Sequence, residues 1–160
     1  MEKKKQKKWT IAKIILIMAF LFPVANANVA NAGDLGESAY YATVANLYQG
    51  YSQYYSALAL LSGDYTYLYA AYDFMWYAVE NILDAEYYAY YGTGPYAYPA
   101  WEYCVSAYDY LIIAEDYAWN AYDYYSSADS MWAIAYGGLG SFDAAIAEYY
   151  AAIGSNGGVY

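Results

Sequence analysis

The sequence predicts an all-α protein made of antiparallel helical hairpins, and three features carry that expectation. Long stretches rich in Ala and Tyr contain neither Gly nor Pro, apolar residues never alternate at period two for long, and three residue types recur at every seventh position between residues 100 and 128. Ala is the best helix former and Tyr is tolerated at modest cost, whereas a half-buried strand would show the missing alternation.

In chain order, Met1 to Lys8 is Lys-rich, Ile14 to Ala25 is a short apolar run, and small residues follow in Ala25-Asn26-Ala27 and Ala30-Asn31-Ala32. These are the three regions of a bacterial secretory signal, with cleavage expected after Ala27 or after Ala32. The apolar run is shorter than the ~20 residues that span a bilayer, so no stable membrane insertion is expected once the leader is removed. Residues 1–32 are thus read as a leader and 33–160 as one exported helical domain, destined for the extracellular space or the cell surface.

Within that domain, Glu37–Leu61 and Asp64–Tyr91 are expected as helices parted by Ser62-Gly63. Gly92-Thr93-Gly94-Pro95 through Pro99 forms a loop, Ala100–Ala128 is a third helix, and Ser126-Ser127 and Gly137-Gly138-Leu139-Gly140 punctuate the remainder. Asp64, and Ser141 ahead of Asp143, are expected at helix starts, where a carboxylate or hydroxyl suits the free N–H groups. In the third helix Ala100, Ala107, Ala114, Ala121 and Ala128 form one stripe, joined by Cys104, Leu111 and Ala118. Tyr103, Tyr110, Tyr117 and Tyr124 form another, and Glu102, Asp109, Asp116 and Asp123 a third. The small stripe lets a neighbouring helix approach closely, and the acidic one should face water. Fainter tracks appear at Tyr41, Tyr48, Tyr55 and at Ala71, Ala78, Ala85.

The charge inventory excludes several classes of function. The 6 basic residues are Lys3, Lys4, Lys5, Lys7, Lys8 and Lys13, there is no His, and all but one of the 16 Asp and Glu lie beyond residue 32. Nucleic-acid binding needs cations to displace phosphate counterions, while a Schiff base needs Lys and a Ser or Cys nucleophile usually needs His or Lys as its base. No enzyme activity and no cofactor are therefore expected. The single cysteine, Cys104, precludes an intramolecular disulfide and falls in an apolar helical pattern, where it reads as a small buried hydrophobe.

The segment from Trp132-Ala133 and Tyr136, through Gly140 and Phe142, to Ala145-Ile146, Tyr149 and Ala152-Ile153 resembles a tetratricopeptide repeat. A poorer match is Gly63-Asp64-Tyr65 with Leu68 and Tyr72. The separation of Gly63 from Gly140 accommodates two repeats of about 34 residues plus an insertion at 92–99. The resemblance implies a solenoid of hairpins with residues 129–156 as its clearest member; a plain up-and-down four-helix bundle is the alternative. A solenoid needs polar terminal repeats to stay soluble, and this chain ends in Tyr149, Tyr150, Ile153 and Tyr160. Its open ends are expected to stack on further copies.

The assembly contacts expected from this reading are Trp132, Tyr136, Tyr149 and Tyr150 on one side and Tyr40, Tyr41 and Tyr48 on the other. Carboxylate rows at Glu102, Asp109, Asp116 and Asp123, or the pair Glu115-Asp116, read chiefly as a solvated face. The four-residue row is also the place where Ca²⁺ or another divalent cation would bind, as oxygen ligands suit it. All 28 Tyr lie beyond residue 32, and their clusters admit three uses: packing, oxidative crosslinking, and passage of charge between rings. The spacing that separates these uses is three-dimensional. The leading expectation is a secreted structural homopolymer, a filament, tube or sheath. The rivals are a monomeric module binding a protein or polysaccharide, and a Tyr-based redox or crosslinking material.

Overall fold

The computed structural model describes residues 33–155; the expected leader, the cleavage expected after Ala27 or Ala32, and Tyr160 lie outside the described residues. Four helices follow one another: α1 (Gly33–Ser62), α2 (Tyr67–Tyr91), α3 (Ala97–Tyr124) and α4 (Ser127–Ser155). Their connections are short, which makes sequential helices antiparallel neighbours. α1 packs along α2 and α4, α3 packs along α2 and α4, and the diagonal pairs scarcely touch. The hairpins therefore close into a ring, an up-and-down four-helix bundle. In an open solenoid the first helix would not reach the last.

The seven-residue register seen between 100 and 128 runs through all four helices, on two buried tracks each. α1 contributes Leu35, Ala42, Gln49, Ser56 and Ser38, Ala45, Ser52, Ala59; α2 contributes Leu68, Met75, Ile82, Ala89 and Ala71, Ala78, Ala85. α3 contributes Ala97, Cys104, Leu111, Ala118 and Ala100, Ala107, Ala114, Ala121; α4 contributes Ser130, Gly137, Ala144, Ala151 and Ala133, Gly140, Ala147. Paired tracks at this period are the seam of a bundle with coiled-coil-like packing. Because the tracks are mostly Ala, Ser and Gly, the helices draw close. Ser38 and Ser52 in α1 donate to the carbonyls of Ala85 and Ala71 in α2, at 2.9 and 2.7 Å.

The expectations for the last segment are corrected. Residues 127–155 are one uninterrupted helix, so the turn expected at Gly137-Gly138-Leu139-Gly140, and with it the hairpin within 129–156, is absent. Each interior Gly costs a helix roughly 1 kcal/mol, but here they admit bulky neighbours. A methyl group on Gly140 would lie 2.7 Å from Leu111 Cγ, and one on Gly137 would lie 2.7 Å from Gln49 Nε2. Ser141, expected at a helix start, is consequently buried in mid-helix.

Helix ends are set by side chains near the turns. Gly63 takes a left-handed φ of 72°. Asp64, just before α2, accepts from the Thr66 backbone N–H at 3.1 Å and from its hydroxyl at 2.6 Å, so it shapes the turn and does not cap the helix. α3 spans 97–124, not 100–128: Tyr125 closes it in the left-handed conformation, φ 51° and ψ 41°. Ser126 then starts α4, its hydroxyl accepting from the Asp129 N–H at 3.2 Å. Ala128 is exposed in α4, so the Ala stripe contributes four core residues from α3.

Candidate functional site

With small residues filling the interior, the rings must go elsewhere. Tyr residues placed beside the core tracks lie over the grooves between helices, and three of the four grooves carry them. Over α1 and α2, Tyr41 stacks on Tyr88 (centroids 5.5 Å apart, planes within 3°), Tyr55 on Phe74 (5.5 Å, 9°), and Tyr48 meets Tyr77 at 5.3 Å. Over α3 and α4, Tyr117 stacks on Tyr136 (5.7 Å, 9°) and Tyr103 on Tyr150 (5.8 Å, 16°). Over α2 and α3 the contacts are edge-on, Tyr72 with Trp119 at 5.1 Å and Tyr69 with Tyr122 at 5.5 Å. Offset and edge-on arrangements of this kind suit the ring quadrupole.

The α1/α4 groove is different. Here α1 presents Thr43, Asn46, Gln49 and Gln53 to the small residues of α4. The Asn46 amide and the Ser141 hydroxyl lie 2.6 Å apart, and Gln53 Nε2 donates to the Ile134 carbonyl at 3.1 Å. Gln49 Nε2 and Glu148 Oε1 are buried there without a hydrogen-bond partner. Glu148 is 7 % exposed; burial holds its carboxyl above the usual range, and the neighbouring Thr43 hydroxyl partly offsets this. The signal of this groove in the sequence is the spacing of Asn46, Gln49 and Gln53 opposite a Gly-rich segment.

The residues expected to form assembly contacts divide in two. Tyr41, Tyr48, Tyr136 and Tyr150 are half-buried and stacked within the chain, whereas Tyr40, Trp132 and Tyr149 are exposed. Because α1 and α4 run antiparallel, Tyr40 and Tyr41 lie at the same end of the bundle as Tyr149 and Tyr150. Trp132 and Tyr136 lie toward the other end, against Tyr117. The two groups are thus not the opposite ends of a stack.

Glu102, Asp109, Asp116 and Asp123 are exposed, as expected. Seven-residue spacing sets neighbours about 10 Å apart along the helix, too far to share one ion. Among the described residues no three Asp, Glu or Cys side chains gather where a metal could be held, so the structure lends no support to calcium on that row. Glu115 is half-buried, and burial first, then Asp116 and Glu80, raise its carboxyl above the usual range. Burial and the nearby Glu115 and Asp73 raise the Tyr72 hydroxyl as well. Burial pushes the Cys104 thiol up to about 12, although the neighbouring Ser38 hydroxyl works the other way.

What the surface offers chemically is therefore carboxylate, phenol and indole. Trp76, Trp119 and Trp132 are 40, 45 and 53 % exposed, and many Tyr rings stand out further. No helix among the described residues is long and apolar enough to cross a membrane. No family model, curated protein or solved structure matches this chain.

Proposed function

We propose that this chain is an exported structural subunit that associates with its own copies through aromatic bands on the outside of the bundle, forming an extracellular filament, tube or sheath. The observation that carries this reading is an inversion of the usual size order. The buried tracks are Ala, Ser and Gly with a few larger residues, while Trp76, Trp119, Trp132, Phe142 and many Tyr are exposed. Aromatic side chains bring the largest buried area to an interface, and contiguous exposed apolar surface marks interaction sites. Closure of the bundle leaves no open repeat to stack, so contact would be lateral, groove to groove.

Electrostatics sets the conditions. Residues 33–155 carry Asp and Glu and no Lys, Arg or His, so facing copies repel at neutral pH. Acid or divalent cations relieve that repulsion. Electron microscopy and sedimentation of the protein from residue 33 onward, at neutral pH, at low pH and with calcium, test the proposal. Ordered polymers under at least one condition are expected, and Tyr40→Ser with Tyr149→Ser, both exposed positions, should weaken them without loss of helix. Discrete small particles under all three conditions would reject assembly and favour a monomeric module for a protein or polysaccharide partner.

A further inference from the structure

At the end of the bundle that carries the 92–96 loop, eight rings follow one another from α1 across α2 to α3. Tyr40 meets Tyr41 at 5.3 Å, Tyr41 meets Tyr88 at 5.5 Å, and Tyr88 meets Tyr87 at 5.4 Å. Tyr87 then meets Tyr91 at 4.9 Å, Tyr91 meets Tyr90 at 5.1 Å, Tyr90 meets Trp101 at 6.1 Å, and Trp101 meets Tyr98 at 5.7 Å. Core filling does not account for the row: Tyr40 is 45 % exposed, Tyr90 66 % and Tyr98 64 %, and Tyr87 and Tyr91 are exposed too. The interior at this level is already filled by Ala89, Ala97 and Leu35.

We propose that this row is a relay for oxidising equivalents, entered at Trp101 and Tyr98 and leaving at Tyr40, whose reaction partner is a one-electron oxidant such as a high-valent metal complex. Phenol and indole are readily oxidised side chains, and the thiol that would compete, Cys104, is buried away from solvent. The oxidant takes one electron from the indole of Trp101 or the phenol of Tyr98. Each next phenol passes an electron back toward the vacancy and gives up its hydroxyl proton, and the ring it repairs regains one. In total the oxidant is reduced by one electron, one proton leaves to solvent, and a tyrosyl radical stands on exposed Tyr40. The proton lost on the way is that of exposed Tyr40, which solvent can take. Two such radicals on two copies join through one C–C bond between ring carbons ortho to the oxygens. The displaced ring hydrogens return to those oxygens, so two electrons and two protons leave for each bond.

This inference does not depend on assembly, since the relay lies within one chain. The test attaches a ruthenium polypyridyl photo-oxidant to the thiol of a Thr93→Cys variant, in the exposed loop beside Tyr91 and Tyr98. It is illuminated with a sacrificial electron acceptor and a nitroso radical trap, and adducts are mapped by mass spectrometry. Adducts on Tyr40 well above those on Tyr125, an exposed ring at the far end, are expected. Adding Tyr87→Phe and Tyr88→Phe keeps the rings and their packing but removes the oxidisable rungs. Tyr40 adducts should then fall to the level on Tyr125, while those on Tyr90, Tyr91 and Tyr98 persist. Equal labelling of Tyr40 with and without the two Phe substitutions, or no excess over Tyr125 in the parent, would overturn the relay. Circular dichroism and urea unfolding of the Phe variant show whether its fold is unchanged.

Discussion

Leu111 fills the space a side chain on Gly140 would need: a methyl group there would lie 2.7 Å from Leu111 Cγ, 2.8 Å from Cδ2 and 3.1 Å from the Ala107 carbonyl oxygen. The same lock recurs where Leu35 of α1 covers Gly154 of α4, at 2.5 Å from the position of an added methyl. Glycine in α4 is thus paired with a large residue on the facing helix, which gives a mostly Ala core its few points of interdigitation.

From that pairing, two glycine substitutions in one helix should have opposite signs. Gly140→Ala gains helix propensity of roughly 1 kcal/mol but overpacks against Leu111, at a cost of about 1–3 kcal/mol, so net destabilisation is expected. Gly138→Ala meets only Gln53 Nε2 at 3.5 Å, an ordinary contact, and should stabilise by about 0.5–1 kcal/mol. Urea unfolding of both variants reads the two signs directly.

The ring stack of Tyr117 on Tyr136 should count beyond the area it covers. A double-mutant cycle with Tyr117→Ala and Tyr136→Ala is expected to return a coupling of about 0.5–1.5 kcal/mol. Tyr117→Phe should be nearly neutral, because the ring contact needs no hydroxyl. Strictly additive Ala substitutions would show that the two rings merely share a groove.

Acid should stabilise this bundle over the first part of a titration. The buried Glu148 carboxyl and the half-buried Glu115 are both raised in the folded state. A carboxylate whose folded value is raised penalises the fold above that value, and the penalty disappears as the pH falls through it toward the ordinary carboxylate range. The melting temperature should therefore rise on acidification from neutral pH. Glu148→Gln should raise stability at pH 7 by on the order of 1 kcal/mol, the scale of a buried polar group lacking partners, and flatten the pH profile. A melting temperature that falls steadily from neutral pH downward would contradict the sign.

Cys104 should be silent toward thiol reagents in the folded protein. It is fully buried and its thiol is pushed up to about 12, which removes both access and thiolate. Labelling by a disulfide exchange reagent at neutral pH should proceed only as fast as the bundle opens, and speed up through the urea transition. Prompt labelling without denaturant, or a disulfide-linked dimer on a non-reducing gel, would show that α3 is more accessible than its packing indicates.

Secondary structure was legible in the sequence because it is local. The Ala-rich runs and the turn at Ser62-Gly63 reappear, the loop expected at 92–99 narrows to 92–96, the turn expected at Ser126-Ser127 falls at Tyr125-Ser126, and the stripes of α3 reappear short of Ala128, with Glu102, Asp109, Asp116 and Asp123 facing water. Two things were decided only by tertiary structure. Gly137 and Gly140 read as breakers, since in isolation Gly disfavours a helix, yet in the bundle they leave room for Met75, Gln49 and Leu111 of the neighbouring helices. The Tyr residues were countable but not placeable. Tyr40 and Tyr41 adjoin in sequence, but one stays exposed and the other stacks on Tyr88, 47 positions further along the chain. Which ring meets which depends on the closure of four helices around a small-residue core, and that is settled by packing between segments far apart in the chain.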